Sequence, residues 1–116
     1  MKLDELVEQF AQNVAAQTDA IQRGNARTGN KHGKQYTAAL EELRAQGNAG
    51  RDALAVLLRH SRTDVRAMAA AFLLRYRTAE ARAVLEAAAK EGGITAIGAI
   101  MTLRRWDDGT WALDPE

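Results

Sequence analysis

The chain has 116 residues, 47% of them hydrophobic and 27% charged, and a formal net charge of +1. That length supports one domain with a modest core, and the balance is that of a folded, soluble globular chain. Near-neutrality speaks against a dedicated nucleic-acid binder, whose affinity rests on phosphate contacts, and the lack of cysteine excludes disulfides, thiolate metal sites and a cysteine nucleophile.

Alanine is abundant and the single proline, Pro115, stands near the end. Both favour helix, since alanine loses no side-chain entropy there and an internal proline would break one. The expected class is all-α. The N-terminal Met-Lys-Leu-Asp-Glu-Leu-Val-Glu is amphipathic and acidic and lacks the apolar core of a signal peptide. No run approaches the roughly 18 apolar residues of a membrane span, so a cytoplasmic location is expected.

Leu3, Leu6, Val7, Phe10, Val14 and Ile21 share one helical face, which predicts a first helix from Leu3 to about Arg23. Asp4 and Glu5 occupy its first turn, where the helix dipole favours negative charge. Gly24-Asn25 ends it. A second helix runs from Thr28 to about Gln46 with Tyr36, Ala39, Leu40 and Leu43 inward, weakened by Gly29 and Gly33 at about 1 kcal/mol each. Gly47-Asn48-Ala49-Gly50 reads as a turn, Arg51–Arg59 as a short third helix and Asp64–Tyr76 as a fourth. His60-Ser61-Arg62 is the turn between them, with Thr63 or Asp64 as N-cap.

Thr78 is the expected cap of a fifth helix, Ala79–Glu91, with Ala81, Val84, Leu85 and Ala88 inward and Gly92-Gly93 closing it. A sixth helix spans about Ile94 to Trp106, with Ile94, Ile97, Gly98, Met101 and Leu103 inward. Asp107-Asp108-Gly109 is a turn, after which Trp111 and Leu113 fold back onto the last helix. Val65, Ala69 and Phe72 correspond to Ile94, Gly98 and Met101 at a period of about 29 residues, shorter than standard HEAT units. Helix pairs of this kind predict a single domain, 1–116, built as a short right-handed α-solenoid of about three pairs, or six helices. A compact orthogonal six-helix bundle is the other architecture that fits.

Gly-Asn-Lys-His at 29–32, Ala-Leu-Glu-Glu-Leu-Arg-Ala-Gln-Gly at 39–47, the run Leu-Leu-Arg-His-Ser-Arg-Thr-Asp-Val-Arg-Ala-Met-Ala-Ala at 57–70 and the closing Met-Thr-Leu-Arg-Arg-Trp-Asp-Asp-Gly carry a resemblance. The whole chain resembles a bacterial family of small HEAT-like proteins catalogued as a domain of unknown function, DUF two-thousand-nineteen. The resemblance implies an immunity protein that binds and silences a cognate bacterial toxin.

Catalytic and metal-binding residues are sparse. The two histidines, His32 and His60, stand apart from any helical ligand spacing, and a metal needs about three convergent ligands. Ser61, the only serine, lies outside a nucleophile elbow. Glu41 and Glu42 point about 100° apart on a helix and cannot share a proton. No enzyme activity, metal or cofactor is expected. Asp64 and Arg66 suit a hydrogen-bonded ladder between repeats, with a ligand-facing Arg66 as the alternative. Trp106 and Trp111 suit a cover for the C-terminal end of the core.

Charge is unevenly spread. Residues 1–22 carry one base against four acids, whereas 23–34 carry Arg23, Arg27, Lys31 and Lys34 and no acid. Arg27, Lys31 and Lys34 are spaced i, i+4, i+7 on one helix side, with Asn30 beside them. If equivalent helices stack, Arg62 and Arg66 join them in one patch for an acidic partner. The leading expectation is therefore a non-catalytic protein-binding module, of the immunity-protein kind that the resemblance implies, using Arg27, Asn30, Lys31, Lys34, Arg62 and Arg66. A nucleic-acid-binding HEAT-like protein is the alternative, and a small-molecule enzyme is the least supported.

Overall fold

The computed structural model describes residues 2–111. Among them lie six α-helices and no strand: α1 (Leu3–Gln22), α2 (Ala26–Ala45), α3 (Asn48–Ala55), α4 (Thr63–Leu73), α5 (Thr78–Lys90) and α6 (Gly93–Asp107). The all-α class and six helices follow the sequence expectation. The chain divides into two compact units, one running to Leu57 and the other beginning at Leu58.

The first unit is a helical hairpin with α3 packed beside it. Leu6, Phe10 and Val14 of α1 meet Ala39, Leu40 and Leu43 of α2, and all are buried. Tyr36 sets its ring edge-on to Phe10, with centroids 5.7 Å apart, a geometry that aromatic quadrupoles favour. The α2 helix begins two residues before the expected Thr28, because the Asn25 side chain caps it by accepting the Thr28 N–H at 3.1 Å. Its two glycines do not interrupt it. Gly29 is buried beside Ala20, and Gly33 lies under the Gln17 amide, so the glycines mark the line along which α1 and α2 approach. Ile21, expected inward, is 44% exposed, although its Cγ1 is the atom nearest to where a Gly29 Cβ would stand; its neighbour Ala20 is fully buried.

The expected turn at 47–50 is shorter than the sequence suggested. Gly47 adopts φ +63°, and Asn48, Ala49 and Gly50 already belong to α3. A 3-10 turn, Val56–Arg59, completes what was expected as one helix from Arg51. Gly50 sits directly on the end of α2. A Cβ there would overlap the Leu43 carbonyl oxygen and stand 2.6 Å from its carbonyl carbon, where backbone cannot yield as a side-chain tip can.

The second unit is built on α4, which is apolar nearly all round. Val65, Ala67, Ala69, Ala70, Ala71, Phe72 and Leu73 are buried, as befits a helix enclosed by others. It packs against α5 through Ala81, Leu85 and Ala88 and against α6 through its small residues. Neither expected side-chain cap forms. Thr63 and Thr78 are the first helical residues, preceded by Arg62 and Arg77 at the N-caps. The Thr78 hydroxyl donates instead to the Leu74 carbonyl at 2.6 Å, and that of Thr63 donates to Glu91 at 2.7 Å.

The register of α6 departs from the sequence expectation. Ala96, Ala99 and Thr102 face inward, while Ile94, Ile97 and Met101 are 49%, 61% and 48% exposed and Gly98 is also exposed. The 29-residue correspondence with Val65, Ala69 and Phe72 therefore fails at the level of burial. Small side chains let helix axes approach closely, and an isoleucine in that position would hold them apart. Arg82 ties α5 to α6 through Asp107 at 2.7 Å. The hydrogen bond from Arg82 lowers the Asp107 pKa, so this contribution is present above the ordinary carboxylate pKa and fades as pH falls through the depressed value. Trp111 returns not to α6 but to α4, donating its indole N–H to the Ala71 carbonyl at 3.0 Å. That carbonyl belongs to the last turn of α4, which lacks in-helix donors. Leu113, its expected companion, lies outside the described residues.

Gly50→Ala should destabilise the protein by about 3 kcal/mol or more, the upper part of the overpacking range. Gly29→Ala, whose Cβ would meet Ile21 at an ordinary 3.4 Å, should be neutral or slightly stabilising. Urea denaturation of the two variants checks the contrast, and equal stability would contradict the close approach of α3 to α2.

Candidate partner-binding face

The six residues expected to bind a partner fall in two sets, one in each unit. In the first, Arg27, Asn30, Lys31 and Lys34 all stand exposed on α2. Among the described residues, Arg27, Lys31 and Lys34 make no ion pair. Asn30 and Lys34 also border a shallow groove whose other walls include Gln17, Gly33, Tyr36 and Glu41. The helix period explains the grouping, because positions 30, 34, 37 and 41 follow one another along the side that borders α1.

The α1–α2 hairpin that carries this groove is tied together by side chains of α1. His32 Nδ1 lies 2.8 Å from the Asn13 side-chain carbonyl oxygen, while the Asn13 amide donates to the Gln9 carbonyl. An amide oxygen only accepts, so His32 carries its proton on Nδ1. His32 thus links the two helices. Gln17 reaches across to the Gly29 carbonyl at 3.4 Å and hydrogen-bonds Tyr36. Burial raises the Tyr36 pKa, partly offset by the Gln17 hydrogen bond. The phenol is therefore a neutral hydroxyl beside the cations. Gln17 was not singled out from sequence. Only the glycine four residues after Gly29 hinted at a neighbour needing room there.

The second set is engaged within its own unit. Arg62 pairs with Asp64 through two hydrogen bonds of 3.0 Å. Asp64 also accepts the Val65 N–H at 2.9 Å, and His60 Nδ1 accepts the Arg62 N–H at 3.0 Å. Arg66 donates to the carbonyls of His60 and Ser61 at 2.7 and 3.1 Å, contacts the Thr63 hydroxyl at 2.8 Å, and lies 3.5 Å from Glu91. The guanidinium thereby holds the 60–62 turn against the start of α4 and joins it to the end of α5. Arg66 thus makes structural contacts within one unit. Reversing its charge would disturb the turn.

Among the described residues no three His, Cys, Asp or Glu side chains converge as metal ligands would. No helix among them is long and apolar enough to cross a membrane.

The chain defines a small all-helical protein with a basic helix face beside a polar groove. It belongs to the family described as a domain of unknown function (DUF2019), whose model matches residues 4–107. It is also similar to the protein RPA1889 from Rhodopseudomonas palustris CGA009, known from a crystal structure. The two share 30% sequence identity with a TM-score of 0.89, over 100% of this chain and 95% of that one. No curated protein matches the chain.

The raised Tyr36 pKa has a direct readout. Its stabilising contribution is present below the ordinary tyrosine value of 10.0 and is lost as pH rises through the higher folded value. In Tyr76→Phe protein, where Tyr36 is the remaining phenol, ultraviolet absorbance titration should place its ionisation above 10.0. Ionisation at or below that value would contradict the burial of Tyr36 against Phe10.

Proposed function

We propose that the chain is a non-catalytic protein-binding module of the HEAT-like, α-solenoid kind, and that it serves as an immunity protein that binds and neutralises a cognate bacterial toxin. The observation that supports it most is the contrast between the two basic sets. Arg62 and Arg66 spend their donors on their own unit, whereas Arg27, Lys31 and Lys34 present three exposed charges on α2 with no ion pair among the described residues. From residue 20 to residue 40 the sequence contains no acid to neutralise them. A partner's carboxylates would relieve their mutual repulsion and speed encounter, as complementary charge does at interfaces.

The groove beside the row adds groups that fix orientation rather than affinity. Asn30 supplies an amide and Tyr36 a neutral hydroxyl, each suited to a partner's backbone or side-chain carbonyl. The docking residues narrow to Arg27, Asn30, Lys31 and Lys34, with Arg62 and Arg66 supporting the turn before α4.

The triple variant Arg27→Glu, Lys31→Glu, Lys34→Glu should lose at least about tenfold in affinity for the product of the adjacent gene, chiefly through like-charge repulsion. Calorimetric titration measures this, with circular dichroism as the folding control, since all three residues are exposed. Full affinity in the folded variant would exclude this face. Low-salt binding to duplex DNA that falls steeply with added salt would favour the nucleic-acid alternative instead.

A further inference from the structure

We infer that the groove along α2 takes an extended segment of the partner protein, one that carries carboxylates at one end and a lysine or arginine at the other, with Glu41 selecting that cation. The inference rests on the protein-binding reading of this face and adds the chemistry of what docks there.

Along the groove come Asn30, Lys34, Tyr36 and Glu41, in that order from the start of α2. The basic row therefore runs into a carboxylate. Glu41 is exposed and makes no ion pair among the described residues, although Arg44 stands within a turn of it. Lys34 and Glu41 are about two turns apart, so they share one helix side, about 10 Å from each other along the axis at 1.5 Å per residue. Both charges are thus left over from folding, opposite in sign and held at a fixed spacing. A polyphosphate strand drawn to Arg27, Lys31 and Lys34 is opposed by Glu41 at about one Debye length. A segment of mixed charge meets attraction at both ends.

The polar groups beside these charges argue for an extended segment over a helix. Asn30 makes no hydrogen bond among the described residues, and Tyr36 offers a neutral hydroxyl. Both suit backbone N–H and C=O groups, which an extended chain leaves free and a helix has already spent on itself. Thr37 adds no donor, because its hydroxyl donates to the Gly33 carbonyl at 2.8 Å. Gly33 and Ala38 keep the surface low beside Tyr36, so a backbone can approach. At about 3.3 Å per residue, three to four extended residues span the distance from Lys34 to Glu41.

Two acetylated and amidated peptides test this, Asp-Asp-Ser-Thr-Ser-Lys and Asp-Asp-Ser-Thr-Ser-Glu, each beside its reversed sequence because charge leaves the chain direction open. They are titrated to millimolar concentration against the isotope-labelled full chain, with Glu41→Gln and Glu41→Lys beside the parent, and affinity is read from backbone amide shifts. The same spectra report whether each variant keeps its fold. In at least one chain direction the lysine peptide should bind the parent about threefold or more tightly than its glutamate counterpart, as one or two exposed ion pairs allow. The basic row alone gives the opposite preference, since the glutamate peptide carries more negative charge. Glu41→Gln should abolish the preference for lysine and Glu41→Lys should invert it. Equal or tighter binding of the glutamate peptide by the parent would overturn the inference. So would a preference unchanged in Glu41→Gln, or the absence of shifts along α2 with every peptide. The underlying reading is judged separately, by affinity for the adjacent gene's product. If the triple variant loses that affinity while Glu41 confers no preference, the face stands and only this segment falls.

Discussion

Close approach of helices along lines of alanine and glycine governs this molecule. Ala20 faces Gly29 where α1 and α2 meet, Gly50 rests on the backbone of Leu43, and α6 turns Ala96 and Ala99 inward. Large apolar side chains fill the space between these lines, as Phe10 and Leu43 do in the first unit and Phe72 and Leu73 in the second. Ridges of small residues allow short interaxial distances, which multiply dispersion contacts between the flanking side chains. The abundance of alanine therefore does more than favour helix formation. On α6 it decides which face turns inward.

That constraint explains what the sequence disclosed and what it hid. Helix number, type and approximate limits were legible, because caps, glycine stops and the 3.6-residue period are local signals. Asn25, Gly47 and Gly92 mark boundaries within a few residues of those observed. Register was legible where the inward face held large residues, as at Leu6, Phe10 and Val14, or at Leu40 and Leu43. It was misread on α6, where ranking by hydrophobicity selects Ile94, Ile97 and Met101 over Ala96 and Ala99. The caps expected at Thr63 and Thr78 failed for a related reason. Each hydroxyl has a better-placed acceptor supplied by tertiary structure or the preceding turn, Glu91 and the Leu74 carbonyl.

The candidate site was half legible. The spacing of Arg27, Lys31 and Lys34 settles that they share a helix side, and α2 presents them exposed. Sequence spacing carries no information about counter-charges from elsewhere in the chain. Arg66 looks equally available until the carbonyls of His60 and Ser61 and the carboxylate of Glu91 are placed around it. Likewise Gln17 and Tyr36 come together only once the hairpin is closed. Charge on α2 is left over from folding, whereas charge around α4 is used by it. This distinction, more than net charge, directs the functional reading to α2.

The inward register of α6 is the sharpest consequence of small-residue packing, and a chain without cysteine allows a clean probe of it. Single cysteines placed by Ile97→Cys and Ala99→Cys differ little in size from the residues around them. Their rates of reaction with a thiol reagent should be read in dilute native protein. The cysteine at 97 should react nearly as fast as in unfolded protein, and that at 99 should be protected at least about a hundredfold, since reaction there requires opening of the packed helices. Protection at 97 with rapid reaction at 99 would show that hydrophobicity sets the register after all, and would contradict the account of how these helices pack.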